Sequence, residues 1–358
     1  MDTSSLEARA TGSPYIKPRL TNHFNKHFNV HFMHMNPGKQ LILATKPFAK
    51  EIRWKSWMYS LTTLVMLMAS FSGIFIFENL WLRMACSIAS GLLMVRMFVI
   101  YHDHQHHTIL HRSVAANILF KLYGVFILAP ASIWKRSHDY HHNHNCKLFS
   151  ASIGSYPIMT KQKFLQSTPA ERRAYLAVRH PLTIFFGYYT MFIYGMCVNS
   201  FLSAPRRHWD SLIALIVHAG ASALIFVYLG WLAWLLSFVV PFMLAFMLGA
   251  YLFYAQHNFP GVTFREKEEW CYEEAAISSS SYMVMNPFWK WVTANIGYHH
   301  VHHLNARIPF YRLPEAMAAI PELQQAKTTS LHPMDIIACF KLKIWDPEKN
   351  AMVGVKHL

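Results

Sequence analysis

Residues 299–303 have the sequence HHVHH and residues 138–142 have the sequence HDYHH, so one spacing, H-x-x-H-H, occurs twice in the chain. On a helix, positions i, i+3 and i+4 lie on one continuous face. Each stretch can therefore present three imidazoles to a single site. The six histidines that share this pattern are His138, His141, His142, His299, His302 and His303.

A further histidine cluster, the first along the chain, begins at His102 and has the sequence HDHQHH, so 138–142 and 299–303 are the second and third clusters. His102 and His106 are four residues apart, so a helix would turn both rings the same way. His107 and His111 form a second pair of this kind, rotated from the first, which makes His107 an additional candidate ligand. His104 points in yet another direction and is the weakest candidate of this cluster.

This many clustered histidines predicts a pair of metal ions. Neutral imidazole is the commonest protein ligand for metals, and one tetrahedral zinc takes only about four ligands. The five cysteines are scattered without a C-x-x-C pair, which disfavours structural zinc and iron–sulfur clusters. Ligand softness alone leaves iron, copper and zinc open. A redox metal would allow attack on an unactivated C–H bond, which acid–base chemistry cannot achieve.

The composition predicts an integral membrane protein. Hydrophobic residues make up 53% of the 358 positions, and they occur in runs that approach the roughly 20 residues needed to cross a bilayer. The net charge of +15 is explained by Lys and Arg in cytoplasmic loops. We expect no nucleic-acid partner, because no basic helix interleaved with stacking aromatics occurs.

The apolar runs divide the chain into three parts. An N-terminal cytoplasmic segment, 1–55, would contain an interfacial amphipathic helix at 23–35, and a short tail would follow at 351–358. The main domain, 56–350, would contain four spans, with a hinge at the uncharged Gly230. The predicted spans are 56–77, 80–101, 211–229 and 231–254.

A shared metal centre requires all histidine clusters to lie on one side of the membrane. The segment 181–203 is apolar enough to cross, but a crossing there would put the third cluster opposite the first two. We therefore predict that 181–203 is re-entrant or interfacial, and that 114–133 lies along the membrane. The turn between the first two spans lacks Lys and Arg, whereas Arg206 and Arg207 precede the third, so the clusters should be cytoplasmic. The expected fold is all-α, with four transmembrane helices and a cytoplasmic helical cap that holds a histidine-ligated di-metal site.

The set HxxxH, HxxHH, QHN and HxxHH, in this order along the chain, resembles the membrane fatty acid desaturase superfamily. The tripeptide QHN contains His257, and the flanking stretches NIGY at 295–298 and LNARIP at 304–309 add to the resemblance, which covers roughly 50–350. The resemblance implies a non-haem centre of two iron ions, with O2 as co-substrate. The implied ligands are His102, His106, His138, His141, His142, His257, His299, His302 and His303.

The resemblance also implies an activity and partners. Two hydrogens would leave neighbouring methylenes of an acyl chain, giving a cis double bond and water, with the chain held in a narrow apolar tunnel. The acyl group would be carried by a lipid, coenzyme A or a carrier protein, and a separate ferredoxin or b-type cytochrome would supply electrons. Asp103, Asp139 and Asn258 would fix the orientation of the imidazoles.

Two alternatives remain at this point. A hydroxylase or ketolase of the same superfamily, acting on a carotenoid, sterol or other lipid, would use the same histidines. A histidine-lined metal transporter or receptor would need ligands in the middle of the membrane on facing helices. The clusters here lie at helix ends and in polar segments, which disfavours transport.

Overall fold

The computed structural model describes residues 37–150 and 156–357. The amphipathic helix expected at 23–35 lies outside these residues. Two long helices, Arg53–Ile76 and Leu80–Gln105, are joined by a short turn and pack against each other as a first helical hairpin. The side chain of Asn79 accepts hydrogen bonds from the backbone N–H groups of Trp81 and Leu82, which caps the start of the second long helix.

A second helical hairpin is formed by the 47-residue stretch Trp209–Ala255. The stretch reverses at Gly230, whose backbone angles are φ 82° and ψ 170°. The ring centroids of His218 and Phe242 lie 4.8 Å apart. A straight helix would separate these positions by about 36 Å, so the chain folds back on itself at the predicted hinge.

Replacing Gly230 by alanine is expected to lower the free energy of unfolding by about 1–3 kcal/mol, because only glycine adopts this region of φ and ψ readily. The thermal unfolding midpoint of the purified protein in detergent measures the loss. Gly220→Ala is the control, since Gly220 lies in the same hairpin with open space around its Cα and no positive φ. An unchanged midpoint for Gly230→Ala would contradict the backbone argument.

The second long helix packs between the first long helix and the second arm of the second hairpin, Val240–Ala255. A Cβ atom at Gly91 would lie 2.9 Å from the backbone oxygen of Pro241, so glycine permits this close approach. Around the turn of the second hairpin the apolar side chains point outward, and Val227, Tyr228 and Trp231 are 72%, 77% and 64% exposed. Surfaces of this kind are suited to lipid rather than water.

Two apolar segments outside the hairpins are broken into shorter helices. The first consists of Val114–Phe126 and Ala131–Asn143, which meet at an angle of 91°. The second is the segment 181–203, which consists of an α-helix at Pro181–Phe185, a π-helix at Tyr188–Asn199 and a last turn at Ser200–Ser203. It packs against both arms of the second hairpin.

The remaining elements are short and surround the ends of the hairpins. The α-helices are Pro37–Thr45, Lys161–Gln166, Pro169–Val178, Tyr272–Ser278, Pro287–Val292, His299–Leu304, Leu313–Ala319 and Pro333–Lys341. The 3₁₀ turns are Lys46–Ala49, Phe310–Arg312, Pro321–Gln325 and Val355–His357. Two small sheets pair Tyr282–Val284 in parallel with Thr328–Ser330, and Ile344–Asp346 antiparallel with Ala351–Val353.

The described residues form a helical fold apart from these two sheets. Three of its helices are long and apolar enough to cross a membrane, or four if the bent pair Val114–Asn143 is one span. The second long helix and the second hairpin both end where the histidine clusters lie. The predicted helical membrane protein is confirmed at this level, and the number of four crossings stays a prediction.

Candidate metal centre

Nine histidines converge in two groups at the ends of the hairpins, and within each group the possible ligand atoms lie within 4.8 Å of one another. The first group, named here the five-histidine group, consists of His102, His106, His138, His142 and His302. The second, the four-histidine group, consists of His141, His257, His299 and His303. These are the nine histidines that the resemblance implied.

Each H-x-x-H-H box contributes to both groups. From the helix Ala131–Asn143, the i, i+4 pair His138 and His142 enters the five-histidine group, and His141 enters the other. The helix His299–Leu304 does the reverse, since its i, i+4 pair enters the four-histidine group and His302 the five-histidine group. The middle histidine of each box thus faces the partner group, which couples the two groups.

The spacing of the ring nitrogens fits metal ions. In the five-histidine group, the Nε2 atom of His142 lies 3.1 Å from that of His138 and 3.1 Å from that of His302. In the four-histidine group, the Nε2 atoms of His299 and His303 are also 3.1 Å apart. Two nitrogens bound at right angles to one metal, each at about 2.1 Å, would be about 3 Å apart.

The protonation of the groups supports the same interpretation. A neutral imidazole has only one N–H, so converging nitrogens cannot all satisfy one another by hydrogen bonds, whereas a cation accepts all their lone pairs. The Nε2 atom of His106 is shielded from solvent and has no hydrogen-bond partner among the described residues. The residues present therefore fit two metal ions held mainly by nitrogen.

Burial keeps these imidazoles neutral. The pKa values of His299, His302 and His303 are lowered well below the usual value, first by loss of solvation and then by neighbouring imidazoles. Burial lowers the pKa of His257 to about 4. Neutral imidazole is the form that binds metal, so the site is ready to do so at neutral pH.

Two of the rings are held from behind by hydrogen bonds. The carboxylate of Asp103 lies 3.2 Å from Nδ1 of His102, and its other oxygen accepts the backbone N–H of Phe310 at 2.7 Å. The Nδ1 atom of His257 lies 3.0 Å from the backbone oxygen of Ser279. Both contacts leave Nε2 directed into the groups, which is the usual arrangement behind a metal ligand.

Replacing Asp103 by alanine is expected to lower activity and metal affinity by about 10- to 100-fold, the range for losing the partner of a ligating histidine. Metal content per chain and initial rates of substrate conversion measure the effect. Asp139→Ala is the control, since Asp139 is another carboxylate next to a box histidine but pairs with Lys135 at 2.8 Å. Equal losses in both variants would contradict the assigned role of Asp103.

Several predicted residues lie elsewhere. Asp139 is on the outer side of its helix and, in the described structure, bonds to Lys135 rather than to an imidazole. Asn258 is buried, but its side chain accepts a hydrogen bond from Arg179 and donates to the backbone oxygen of Cys339. These contacts of the two side chains are with other partners, and the expected role in orienting imidazoles stays a prediction for both residues.

The other histidines of these clusters lie outside the two groups. His107 is exposed and packs against His111 at a centroid distance of 4.8 Å. His104 bonds to the side chain of Asn117 and stacks on Phe120. His300 is buried, and its Nε2 atom lies 3.0 Å from the backbone oxygen of Leu323. Of the first cluster, only His102 and His106 reach the site.

Two kinds of contact that support the histidine groups were not predicted from the sequence. The guanidinium of Arg96 lies 4.4 Å from the ring of Trp291 and bonds to the backbone oxygen of that residue. This contact joins the second long helix to the helix Pro287–Val292, which precedes the H-x-x-H-H sequence at 299–303. A backbone oxygen, such as that of Ser279, leaves no signal in residue type.

An apolar cavity leads to the groups between the second long helix and the second hairpin. Its walls include Met94, Phe98, Phe246, Gly249 and Phe253. Three imidazoles, those of His102, His138 and His299, also line it. From His102 to Met94 the second long helix rises about 12 Å, so the cavity extends about two turns away from the metal site.

Helical hairpins around a buried, histidine-lined cavity define a membrane protein with a candidate metal centre. The chain belongs to the fatty acid desaturase family, whose model matches residues 78–333. It is therefore an oxidoreductase that acts as a fatty acid desaturase. The resemblance in the histidine boxes is confirmed.

Relatives with assigned names agree with this family. A fatty acid desaturase of Bacillus subtilis (strain 168) is 29% identical over 291 residues, which cover 77% of this chain and 79% of the relative. An sn-1 acyl-lipid omega-3 desaturase (ferredoxin) of Nostoc sp. (strain 36) is 25% identical, with 65% of this chain and 66% of the relative covered. A chloroplastic omega-6 fatty acid desaturase of Glycine max is 23% identical, with 77% and 66% covered.

Proposed function

We propose that this chain is an O2-dependent acyl desaturase whose nine clustered histidines hold two iron ions. The observation that carries the proposal is the meeting of two imidazole groups with one apolar cavity. Imidazole suits iron, copper and zinc alike. The oxidation of a methylene requires a redox-active metal, however, and zinc has no redox chemistry. Iron is therefore proposed from the reaction together with the ligands.

The substrate in this proposal is an acyl chain that lies in the apolar cavity. Once bound, the irons would supply the oxidation of two adjacent C–H bonds by dioxygen. Phe98, Phe246 and Phe253 hold the chain against the imidazoles and exclude water, so one pair of methylenes is positioned for reaction. The product is a cis double bond in the acyl chain.

The electron balance of this reaction requires a donor. Two hydrogens taken from neighbouring methylenes carry two electrons, whereas reduction of dioxygen to two waters takes four. Two electrons and two protons must therefore come from outside. The Nostoc relative is named as ferredoxin-dependent, and we propose a ferredoxin, with a b-type cytochrome as the alternative. The net charge of +15 would attract an acidic donor.

The carrier of the acyl group is proposed to be a membrane lipid. The Nostoc relative is named for an acyl-lipid substrate, and a cavity between apolar helices is reached readily from a bilayer. Acyl-coenzyme A and an acyl carrier protein are the other carriers considered. A lipid substrate fits the outward-facing apolar surface of the second hairpin.

We further propose a multi-pass topology with the metal centre on the cytoplasmic side. In this topology both hairpins cross the membrane, giving four spans within the domain 56–350, flanked by the segment 1–55 and the tail 351–358. Both hairpins begin and end on the side of the histidines. Arg53, Arg206 and Arg207 lie on that side, whereas the turn at Gly230 has no charged residue. The short helices around the histidines then form a cytoplasmic cap.

Expression in a host without this activity tests the proposal. Mass spectrometry of total fatty acids, with localisation of double bonds, should show new unsaturated chains that are lost in His302→Ala. The purified protein should contain two irons per chain. Hydroxylated products without new unsaturation would instead favour the hydroxylase alternative, and one zinc per chain would contradict any oxidative function.

A further inference from the structure

A second cavity approaches the four-histidine group and differs from the first in being polar. Its lining includes His141, His257, Asn258, Arg179, Cys146 and Tyr156. Phe253 lines both cavities, so the two cavities adjoin at this side chain. The metal site is thus bordered by an apolar cavity on one side and a polar cavity on the other.

Arg179 is the notable charge in the polar cavity, because its side chain is fully buried at 0% exposure. Its guanidinium donates to Asn258 Oδ1 at 2.5 Å, and to the backbone oxygens of Pro157 at 3.1 Å and Leu342 at 3.4 Å. Its Nε atom has no hydrogen-bond partner in the part of the chain that the structure describes. All three of these acceptors are neutral.

No carboxylate compensates this charge within 4 Å among residues 37–150 and 156–357. A second positive charge lies close by, since the ammonium of Lys343 bonds to the backbone oxygen of Arg179. Burial, and then the charge of Arg179, lower the pKa of Lys343 to about 8. A buried cation without a counter-charge is unfavourable unless an anion binds beside it.

We propose that Arg179 binds an oxyanion of the acyl substrate in the polar cavity, either the phosphate of an acyl-lipid head group or the carboxylate of a free fatty acid. The acyl chain then passes Phe253 and the metal site into the apolar cavity, so the head of the substrate is fixed at one end and its methyl end at the other. This assignment rests on the proposed function. It deepens that function, because the distance from Arg179 to the metal site selects which methylenes react.

Isothermal titration calorimetry on the full-length, metal-loaded protein in nanodiscs tests the site with inorganic phosphate and with butanoate. At least one anion should bind, with a dissociation constant at least tenfold higher in Arg179→Gln and partly restored in Arg179→Lys. Arg173→Gln is the matched control, since Arg173 is an exposed arginine on the helix Pro169–Val178, and Arg179 is the C-cap residue of that helix. Binding of butanoate alone would assign a carboxylate, and binding of phosphate alone a phosphate.

The proposal would be overturned if neither anion binds. It would also be overturned if Arg173→Gln and Arg179→Gln lose the same amount of anion affinity. The titration requires no turnover. A protein that forms unsaturated products without binding an anion contradicts the Arg179 site alone. A protein that binds an anion but forms no unsaturated products contradicts the proposed function instead.

A second measurement on the unmodified protein applies even if the Arg179 variants fail to fold. Cys146 is a free cysteine in the polar cavity, whereas Cys271 is a free cysteine outside it. Saturating anion should slow the reaction of Cys146 with methyl methanethiosulfonate at least tenfold and leave Cys271 unaffected. Equal rates with and without anion at Cys146 would contradict binding in this cavity.

Discussion

Replacing His106 by alanine is expected to lower desaturase activity by more than about 100-fold. Loss of a residue that only supports a metal ligand lowers activity by up to about 100-fold, and loss of a ligand itself should cost more. The ring of His106 packs against those of His102 and His142 at centroid distances of 4.6 Å each. Its removal would leave a gap in the proposed ligand set of the five-histidine group. Activity in the expression host and metal content of the purified protein measure the loss, and metal content should fall from two ions per chain toward one.

His107→Ala is the matched control, because it removes the neighbouring imidazole from the exposed side of the same helix end. We expect it to retain both metal ions and activity close to that of the unmodified protein. The reverse pattern, with activity lost in His107→Ala and retained in His106→Ala, would show that the assignment of the first box is wrong.

The sequence did not settle whether His106 or His107 belongs to the metal site, and the reason is physical. Helical periodicity relates His102 to His106 and His107 to His111 equally well, as long as the helix continues. The second long helix ends at Gln105, and His107 has a left-handed φ of 57°. The chain therefore turns away just after His106, and periodicity no longer predicts where the next side chain points.

The H-x-x-H-H boxes were more predictable because each one lies on a helix throughout. Their spacing predicted that three imidazoles share a face. It did not predict that His141 and His302 would each serve the opposite group from the other two histidines of their box. That division depends on how the two short helices face each other, and such packing is set by contacts far apart in the chain.

Adjacency in sequence was a poor guide to the residues that orient the ligands. On a helix, consecutive side chains point about 100° apart, so Asp139 turns to Lys135 and the solvent. Asp103 contacts the ring of His102 with one carboxylate oxygen, and its other oxygen accepts the backbone N–H of Phe310. Neither outcome could be foreseen from residue type alone.

Hydropathy predicted the hairpins well, since long apolar runs have few other uses. The first two predicted spans, 56–77 and 80–101, differ from the helices Arg53–Ile76 and Leu80–Gln105 by at most four residues at their ends. The polar box histidines extend the second helix beyond the apolar run. The helix continues through His102, Asp103 and His104, which are buried in the fold although they are polar.

Replacing Gly249 by leucine is expected to lower kcat/KM for long acyl chains by roughly 100-fold while metal content stays unchanged. Gly249 lines the apolar cavity, and a Cβ atom added there would meet no atom within 4 Å. The leucine side chain therefore enters space that the acyl chain would occupy. Displacing about four methylenes, each worth about 0.8 kcal/mol, costs about 3 kcal/mol, which corresponds to the expected factor.

The comparison with Gly220→Leu separates this blockage from a general effect of leucine on the membrane helices. Gly220 also has open space around its added Cβ, but it lies on the exposed side of the other hairpin arm, away from the cavity lining. Gly249 is two helical turns, about 12 Å, from His257, so the ligands should stay in place in both variants. Rates measured over a series of chain lengths should therefore fall in Gly249→Leu for long chains more than for short ones, and stay unchanged in Gly220→Leu. Equal rates in the two variants for every chain length would mean that the acyl chain does not lie in this cavity.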